Sequence, residues 1–285
     1  MAEILKGADV TNALNKSLKE RTEILKKKGI NPVLAIVRVG EKDDDISYEK
    51  GVEKRCNKVG AEVKKFIFPN DISEKEILNA VEEINQNDKI HGCLILKPLP
   101  SHIDENKIRE TLAIEKDIDG TTNGSLVGVF TDTDYGYPPC TAQACMEILD
   151  FYGINPQGKR AVVIGRSLVV GKPTSMLLIN RNATVTVCHT KTINAEEICR
   201  NAEILIVAAG KAETVGKEFL NKNQIVIDVG IHVNADGKLT GDVKFDEAEH
   251  IVKAITPVPG GVGTVTTSVL VKHVIMAAEK AAENL

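Results

Sequence analysis

Ala161-Val162-Val163-Ile164-Gly165-Arg166-Ser167-Leu168-Val169-Val170-Gly171-Lys172-Pro173 decides the fold of the C-terminal half. Ala161 to Ile164 is a short β-branched apolar run, the pattern of a strand buried on both faces. A glycine ends it, and a second glycine stands where the next helix begins. A dinucleotide pyrophosphate needs close backbone approach and free N–H groups at a helix N-terminus. Gly165 and Gly171 give the room, Arg166 a charge, and Ser167 a hydroxyl and an N–H. The run is not Gly-x-Gly-x-x-Gly, and an ordinary strand-to-helix turn is the alternative reading.

The following strands refine this reading. Thr184 to Cys188 ends in His189-Thr190-Lys191. NAD-selective sites usually place an acid about 20 residues past the first glycine, on the ribose 2′-hydroxyl. No acid stands here; His189, Thr190, Lys191 and Arg166 suit a 2′-phosphate, so NADP is favoured over NAD. Taken singly, each of these cations reads equally as a solvated surface charge. Strand Ile204 to Val207 leads into Ala208-Ala209-Gly210-Lys211, and strand Ile225 to Val229 into Gly230-Ile231. Small residues at the carboxyl ends of parallel strands fit either a crevice floor or tight helix–sheet packing.

Upstream, the first 110 residues alternate in the same way. Val10 to Lys28, Ser47 to Val59 (closed by Gly60) and Ser73 to Asn85 read as helices. Ser73 and Glu76 have capping-box spacing, although Asp71 is an equal cap candidate. Val33 to Val37, Val63 to Phe68 and Gly92 to Leu96 read as strands. Strands alternating with helices imply an α/β fold with parallel strands and right-handed crossovers. Between Lys116 and Thr141 the pattern breaks into a Gly-, Asp-, Thr- and Pro-rich stretch, read as a junction bordering a site. Val265 to Leu285 reads as a terminal helix.

Composition narrows the function classes. The 285 residues are 42% hydrophobic and 27% charged with a net charge of −4, the profile of a globular chain. No Lys/Arg block suggests a nucleic-acid partner, and no apolar run approaches the roughly 20 residues of a membrane span. The N-terminal segment lacks a signal-peptide layout. Six cysteines without Cys-x-x-Cys spacing read as reduced thiols of a cytoplasmic protein, with no metal site expected.

Val39-Gly40 with Tyr48, Lys97-Pro98-Leu99-Pro100, Lys116-Asp117-Ile118-Asp119-Gly120, Pro139-Cys140-Thr141, the Gly165 turn, Cys188-His189 and Thr256-Pro257-Val258-Pro259-Gly260-Gly261-Val262-Gly263 run nearly end to end. Through these segments the chain resembles the methylenetetrahydrofolate dehydrogenase/methenyltetrahydrofolate cyclohydrolase family of one-carbon metabolism. The resemblance implies a two-domain α/β fold. A catalytic, folate-binding domain over residues 1–140 is completed by a C-terminal helix over 266–285. A Rossmann-type NADP-binding domain covers 141–265, with a cleft between the two. It implies a homodimer acting on tetrahydrofolate derivatives. The first reaction oxidises 5,10-methylenetetrahydrofolate with NADP; the second hydrolyses the methenyl product to 10-formyltetrahydrofolate. It implies that Tyr48 stacks on the aminobenzoate ring and that Asp119, beside Gly120, accepts hydrogen bonds from the pterin. Pro259, Gly260 and Gly261 would form a rigid loop at the site, and Lys97-Pro98 a cis peptide. Gly165, Arg166, Ser167, Gly171, His189, Thr190, Lys191, Ala209, Gly210, Gly230 and Ile231 are the expected cofactor-binding residues.

The chain departs from the family pattern at two chemically important places. The lysine usual four residues after the tyrosine is Val52, and the glutamine usual before x-Pro-Leu-Pro is Leu96. Positions i and i+4 share a helix face, so Lys50 and Lys54 point elsewhere. Lys97 follows Leu96, but strand alternation turns it away unless the chain bends at Pro98. Ala142-Gln143-Ala144 and Thr264-Val265 also differ from the usual Pro-x-Gly and Pro-Met. Hydride transfer mainly needs two partners held face to face, whereas hydrolysis needs proton movement. The expectation is a working dehydrogenase with weak or absent hydrolysis. The alternatives are a bifunctional enzyme that uses Lys97 as a base, and a non-catalytic folate or NADP sensor.

Overall fold

The structure, a computed structural model, describes residues 1–234 and 236–283. In chain order its elements are β1 (Glu3–Ile4), α1 (Gly7–Lys27), β2 (Val33–Val39), α2 (Asp43–Val59), β3 (Glu62–Phe68), α3 (Glu74–Gln86), β4 (Gly92–Ile95), α4 (Glu105–Thr111), α5 (Asn123–Thr131) and α6 (Cys140–Phe151). Then come β5 (Arg160–Ile164), α7 (Gly171–Asn180), β6 (Thr184–Cys188), α8 (Ala195–Arg200), β7 (Ile204–Val207), β8 (Ile225–Asp228), β9 (His232–Val233), β10 (Leu239–Thr240), α9 (Phe245–Ala248), β11 (Ala254–Ile255) and α10 (Val262–Glu283).

Two compact units result, residues 1–12 with 141–266, and residues 13–140 with 267 onward. The expected division put residues 1–12 in the other unit. They differ because β1 pairs in parallel with β11, Glu3 opposite Ala254 and Ile4 opposite Ile255.

The unit of residues 1–12 and 141–266 holds a six-stranded parallel sheet in the order β1-β11-β8-β7-β5-β6. Val162, Leu205, Val207, Val226 and Ile255 join one buried cluster. Unbroken apolar strands are what a sheet covered on both faces requires. The chain passes outward from β5 to β6 and returns on the other side of β5 as β7. That reversal opens a crevice at the carboxyl ends of the strands, the usual ligand position of such sheets.

The unit of residues 13–140 and 267 onward holds a three-stranded parallel sheet, β3-β2-β4. Ile77, Val81 and Ile84 recur at helical spacing on α3 and pack with Ala35, Val37, Cys93 and Ile95. Ser73 caps α3: its Oγ accepts from Glu76 N at 3.3 Å while Glu76 Oε2 accepts from Ser73 N at 3.0 Å, so Ser73 and not Asp71 starts the helix. Helix α2 begins four residues before the expected Ser47. Asp43, Asp44 and Asp45 occupy its first turn, where negative charge is favourable, and Gly60 ends it at φ 85°.

The stretch from Lys116 to Thr141, expected to be irregular, contains α5, started by Thr122 Oγ1 accepting from Ser125 N at 3.2 Å. Strand β8 stops one residue short of the expected Val229. Helix α10 begins at Val262, three residues early, and the last two residues of the expected terminal helix, 284 and 285, lie outside the described residues. All six cysteines are free and buried. Among the described residues no helix is long and apolar enough to cross a membrane.

Candidate functional site

At the end of β5, Gly165 adopts φ 124°, a conformation that L side chains rarely tolerate, and a Cβ there would run into the carbonyl oxygen of Ala208 after β7. Gly171 starts α7 against the Gly165 backbone, again leaving no space for a side chain. Ser167 Oγ accepts from Val170 N at 3.1 Å and Gly171 N at 3.4 Å, and its carbonyl accepts from Lys172 N at 3.0 Å. Ser167 thus holds the first N–H groups of α7, and the turn leaves residues 166–169, Arg166 among them, exposed in front of a helix N-terminus, where negative charge is favoured.

After β6, His189 Nδ1 accepts from Lys191 N at 3.1 Å, which leaves the Nε2 edge of the ring for an outside partner. Thr190 and Lys191 are exposed, and neither Lys191 nor Arg166 has an ion-pair partner among the described residues. This cluster can hold an anion, and among the described residues no carboxylate pairs with it.

Two buried acids that sequence reading missed shape the remaining loops of this unit. Asp242 accepts from Gly210 N at 3.1 Å, Lys211 N at 3.0 Å and His232 Nε2 at 2.7 Å. Asp228 accepts from Gly230 N, Asp242 N and Val243 N at 3.0–3.1 Å. Burial pushes the Asp228 carboxyl up to about 6 against the pull of those N–H groups. Together the two acids fix the loop of Ala209 and Gly210 to the loop of Gly230 and Ile231. A cavity of about 160 Å³ is lined by Gly230 and Ile231 on one side and Pro259, Gly260 and Gly261 on the other. The Val258–Pro259 peptide is cis, Gly260 has φ 104°, and the Gly260 carbonyl accepts from Gly7 N at 2.8 Å.

In the other unit, Tyr48 lies on α2 with 39% exposure, while Val52, one turn later, is fully buried. Leu96 is also buried, and its N–H donates to Val37 O at 2.9 Å. Neither apolar side chain can carry a proton. The Lys97–Pro98 peptide is cis, as expected, and Lys42 Nζ, at the start of α2, donates to Pro98 O at 3.1 Å. Strand β4 ends at Ile95 and the chain turns at the cis Lys97–Pro98 peptide, the bend on which the reach of Lys97 depended. Its Nζ donates to Thr121 Oγ1 at 3.4 Å.

Asp119 stands in a tight turn that Gly120 completes at φ 70°, where a Cβ would meet the Pro138–Pro139 backbone. Burial, and then Asp117, push its carboxyl up to about 6, while Lys97 and the Cys140 thiol pull it down. Burial, then the Asp119 charge, hold the Tyr48 phenol above its ordinary value, so it stays protonated. Tyr48, Lys97, Asp119 and Cys140 thus share one neighbourhood. Lys97 and Pro98 face solvent. Sequence reading missed the part of Asp117, whose oxygens accept from Thr121 N, Thr122 N and Ser125 Oγ. A Thr-Thr-Asn-Gly run after an acid was the available signal for it. Among the described residues, no cluster of three or more His, Cys, Asp or Glu side chains could hold a metal ion.

Residues 5–119 match the catalytic domain, and residues 139–282 the NAD(P)-binding domain, of tetrahydrofolate dehydrogenase/cyclohydrolase. A curated relative, the bifunctional protein FolD of Carboxydothermus hydrogenoformans, is 50% identical over 281 residues, covering 98% of each chain. The crystal structure of the Campylobacter jejuni bifunctional FolD superposes with a TM-score of 0.95 at 35% identity, covering 98% of this chain and 99% of that one. The Trypanosoma brucei dehydrogenase-cyclohydrolase, solved with NADP and an inhibitor, gives 0.91 at 32% identity, covering 99% and 98%. With both domain descriptions met in order and half the residues shared with a full-length relative, this chain belongs to the tetrahydrofolate dehydrogenase/cyclohydrolase family.

Proposed function

We propose that the chain oxidises 5,10-methylenetetrahydrofolate to 5,10-methenyltetrahydrofolate with NADP, and that it hydrolyses the methenyl product poorly or not at all. Relatives named bifunctional FolD, one of them solved with NADP, support the dehydrogenase reading. NADP, when bound, takes up the hydride. Gly165, Ser167 and Gly171 supply the backbone cradle that would hold its pyrophosphate. Arg166, His189, Thr190 and Lys191 supply donors and charge for a 2′-phosphate. Ala209, Gly210, Gly230 and Ile231, tied by Asp228 and Asp242, would border its nicotinamide end. Tyr48 offers a flat ring face for the aminobenzoate to stack on, and Asp119 a two-oxygen acceptor for the paired N–H donors of the pterin. Pro259, Gly260 and Gly261 would frame the folate from a rigid loop.

One observation carries the division between the two reactions: Val52 and Leu96 are both buried and apolar. General acid–base help is worth about 10²–10⁴-fold, and two hydrocarbon side chains supply none. The test is NADP reduction by purified protein with methylenetetrahydrofolate, run in parallel with NAD, followed by turnover of methenyltetrahydrofolate. Hydrolysis as fast as oxidation overturns the division. No reduction of either nucleotide favours a binding protein instead.

The contact of Lys97 with the Asp119–Thr121 turn favours a second reading, in which Lys97 moves the proton for hydrolysis. Loss of hydrolysis alone in Lys97→Met supports that reading.

A further inference from the structure

The 117–121 turn carries two acids in different circumstances. Asp117 is buried, and three protein donors use its oxygens: Thr121 N at 3.1 Å, Thr122 N at 2.8 Å and Ser125 Oγ at 2.7 Å. It is a structural clamp that also starts α5. Asp119, two residues on, has its backbone carbonyl taken by Cys140 N at 3.4 Å, but its carboxylate receives no N–H from any described residue, and the Cys140 thiol is the protein donor turned toward it. Its acceptor capacity is left for a ligand. Lys97 is exposed, yet its Nζ rests on Thr121 Oγ1 at 3.4 Å and pairs with no carboxylate within 4.0 Å among the described residues. An exposed lysine held over a turn, without a closed ion pair, acts through its field.

We propose that Lys97 is a positioning residue of the folate site: a cation brought from the end of β4 to the 117–121 turn, which keeps the Asp119 carboxyl anionic and able to accept a pterin's paired N–H donors. The inference rests on the folate reading of Asp119 given above. It also answers a question of charge, since Val52 brings no cation to the helix face that carries Tyr48.

The groups around Asp119 set the sign. Asp117 on the same turn opposes ionisation, as does burial, and together they raise the carboxyl to about 6. Lys97 and the Cys140 thiol favour ionisation. Tyr48 on α2 is protonated and neutral. His273 on α10 has its Nδ1 on Ile118 O at 2.8 Å and 3.7 Å from Cys140 Sγ. A carboxylate acceptor is lost as pH falls through its pKa. Without Lys97 that loss begins at higher pH.

The experiment is calorimetric titration of the full chain with 5-formyltetrahydrofolate, a stable reduced folate, from about pH 5 to about pH 8, a range that brackets the Asp119 value of about 6. The expected result is that Lys97→Gln shifts the fall in affinity to higher pH and binds several-fold more weakly near pH 6, whereas Lys97→Arg follows the parent protein. A Lys97→Gln profile that superimposes on the parent's overturns the inference. Asp119→Asn reports on the reading beneath it: weak binding at every pH supports a folate role for Asp119. Parent-like affinity in Asp119→Asn removes that role, and the inference with it, whatever Lys97→Gln does.

Discussion

Arg38 Nε donates to Glu49 Oε2 at 2.8 Å, with both side chains less than a tenth exposed, and Glu49 is the residue after Tyr48. The pair ties the second turn of α2 to the end of β2, and Lys65 Nζ adds a contact to Glu49 Oε1 at 3.0 Å. Burial alone would push the Glu49 carboxyl up, but hydrogen bonds from Arg38 and then Lys65 hold it below its ordinary value. Glu49→Gln leaves the Arg38 guanidinium buried without its counter-charge. The expected cost is about 3–5 kcal/mol in urea unfolding, the range for breaking one side of a buried pair. A cost under about 1 kcal/mol would show that the pair behaves like a surface contact. The sign with pH follows: a carboxyl lowered by folding stabilises above its unfolded pKa, and that contribution is lost as pH falls through the lower, folded value. In the parent protein, acid therefore removes what Glu49→Gln removes at neutral pH.

Gly165→Ala should do more harm than a glycine substitution at a similarly unusual backbone angle in open space. Gly153 has φ 66° with nothing within 4 Å of an added Cβ, so Gly153→Ala meets backbone strain alone, on the order of 1–2 kcal/mol. Gly165→Ala adds a collision with Ala208 O, which the sheet can relieve only by moving β5 from β7. Its expected outcome is a further loss of about 1–3 kcal/mol and weaker NADP binding. Equal stability of the two variants would mean that the strand ends are looser than their spacing implies.

The contrast between Gly165 and α5 shows what was legible in the sequence. Strands β5 and β7 were readable because a strand buried on both faces is an unbroken apolar run, edge strand β6 because Thr-Val-Thr-Val is β-branched throughout, and the glycines after β5 and β7 because they mark sharp turns. Helix α5 was not: Thr121-Thr122-Asn123-Gly124 reads as turn chemistry, and nine residues give too few periods to outweigh it. Strands β1 and β11 have two residues each, so only their pairing across some 250 residues of chain defines them. The same limit applied to the site. Asp117 and Asp119 look alike on paper, and only the three donors around Asp117 separate the clamp from the open acceptor. Asp242 gave no local signal, because its role depends on three loops meeting.

The cofactor preference should reside in Arg166 and Lys191 and be separable from catalysis. Both are exposed and unpaired, so replacing both with Met should leave the fold intact. A 2′-phosphate would lose two charge-assisted contacts, and each is worth about 1.5–3 kcal/mol before solvent screening. The expected result is a fall of about 10–100-fold in kcat/KM for NADP, with the NAD value nearly unchanged, measured by steady-state nicotinamide absorbance. Equal losses with both nucleotides would place the two cations on the pyrophosphate instead.

The division between oxidation and hydrolysis can be tested by adding chemistry as well as by removing it. Val52 sits one turn after Tyr48 and is fully buried, and Leu96 is 6% exposed. Val52→Lys alone places an ammonium among apolar neighbours, which depresses its pKa and costs stability. Leu96→Gln alone adds an amide with no charge to act on. The double variant supplies a lysine whose pKa falls toward neutrality and a hydrogen-bonding partner, the two properties that water activation needs. Its turnover of methenyltetrahydrofolate should rise by about 10²-fold over the parent, while methylenetetrahydrofolate oxidation stays within about tenfold. If instead the parent already hydrolyses rapidly and the double variant gains nothing, Val52 and Leu96 are not where hydrolysis is limited. Lys97, on the neighbouring turn, then becomes the residue whose removal decides the matter.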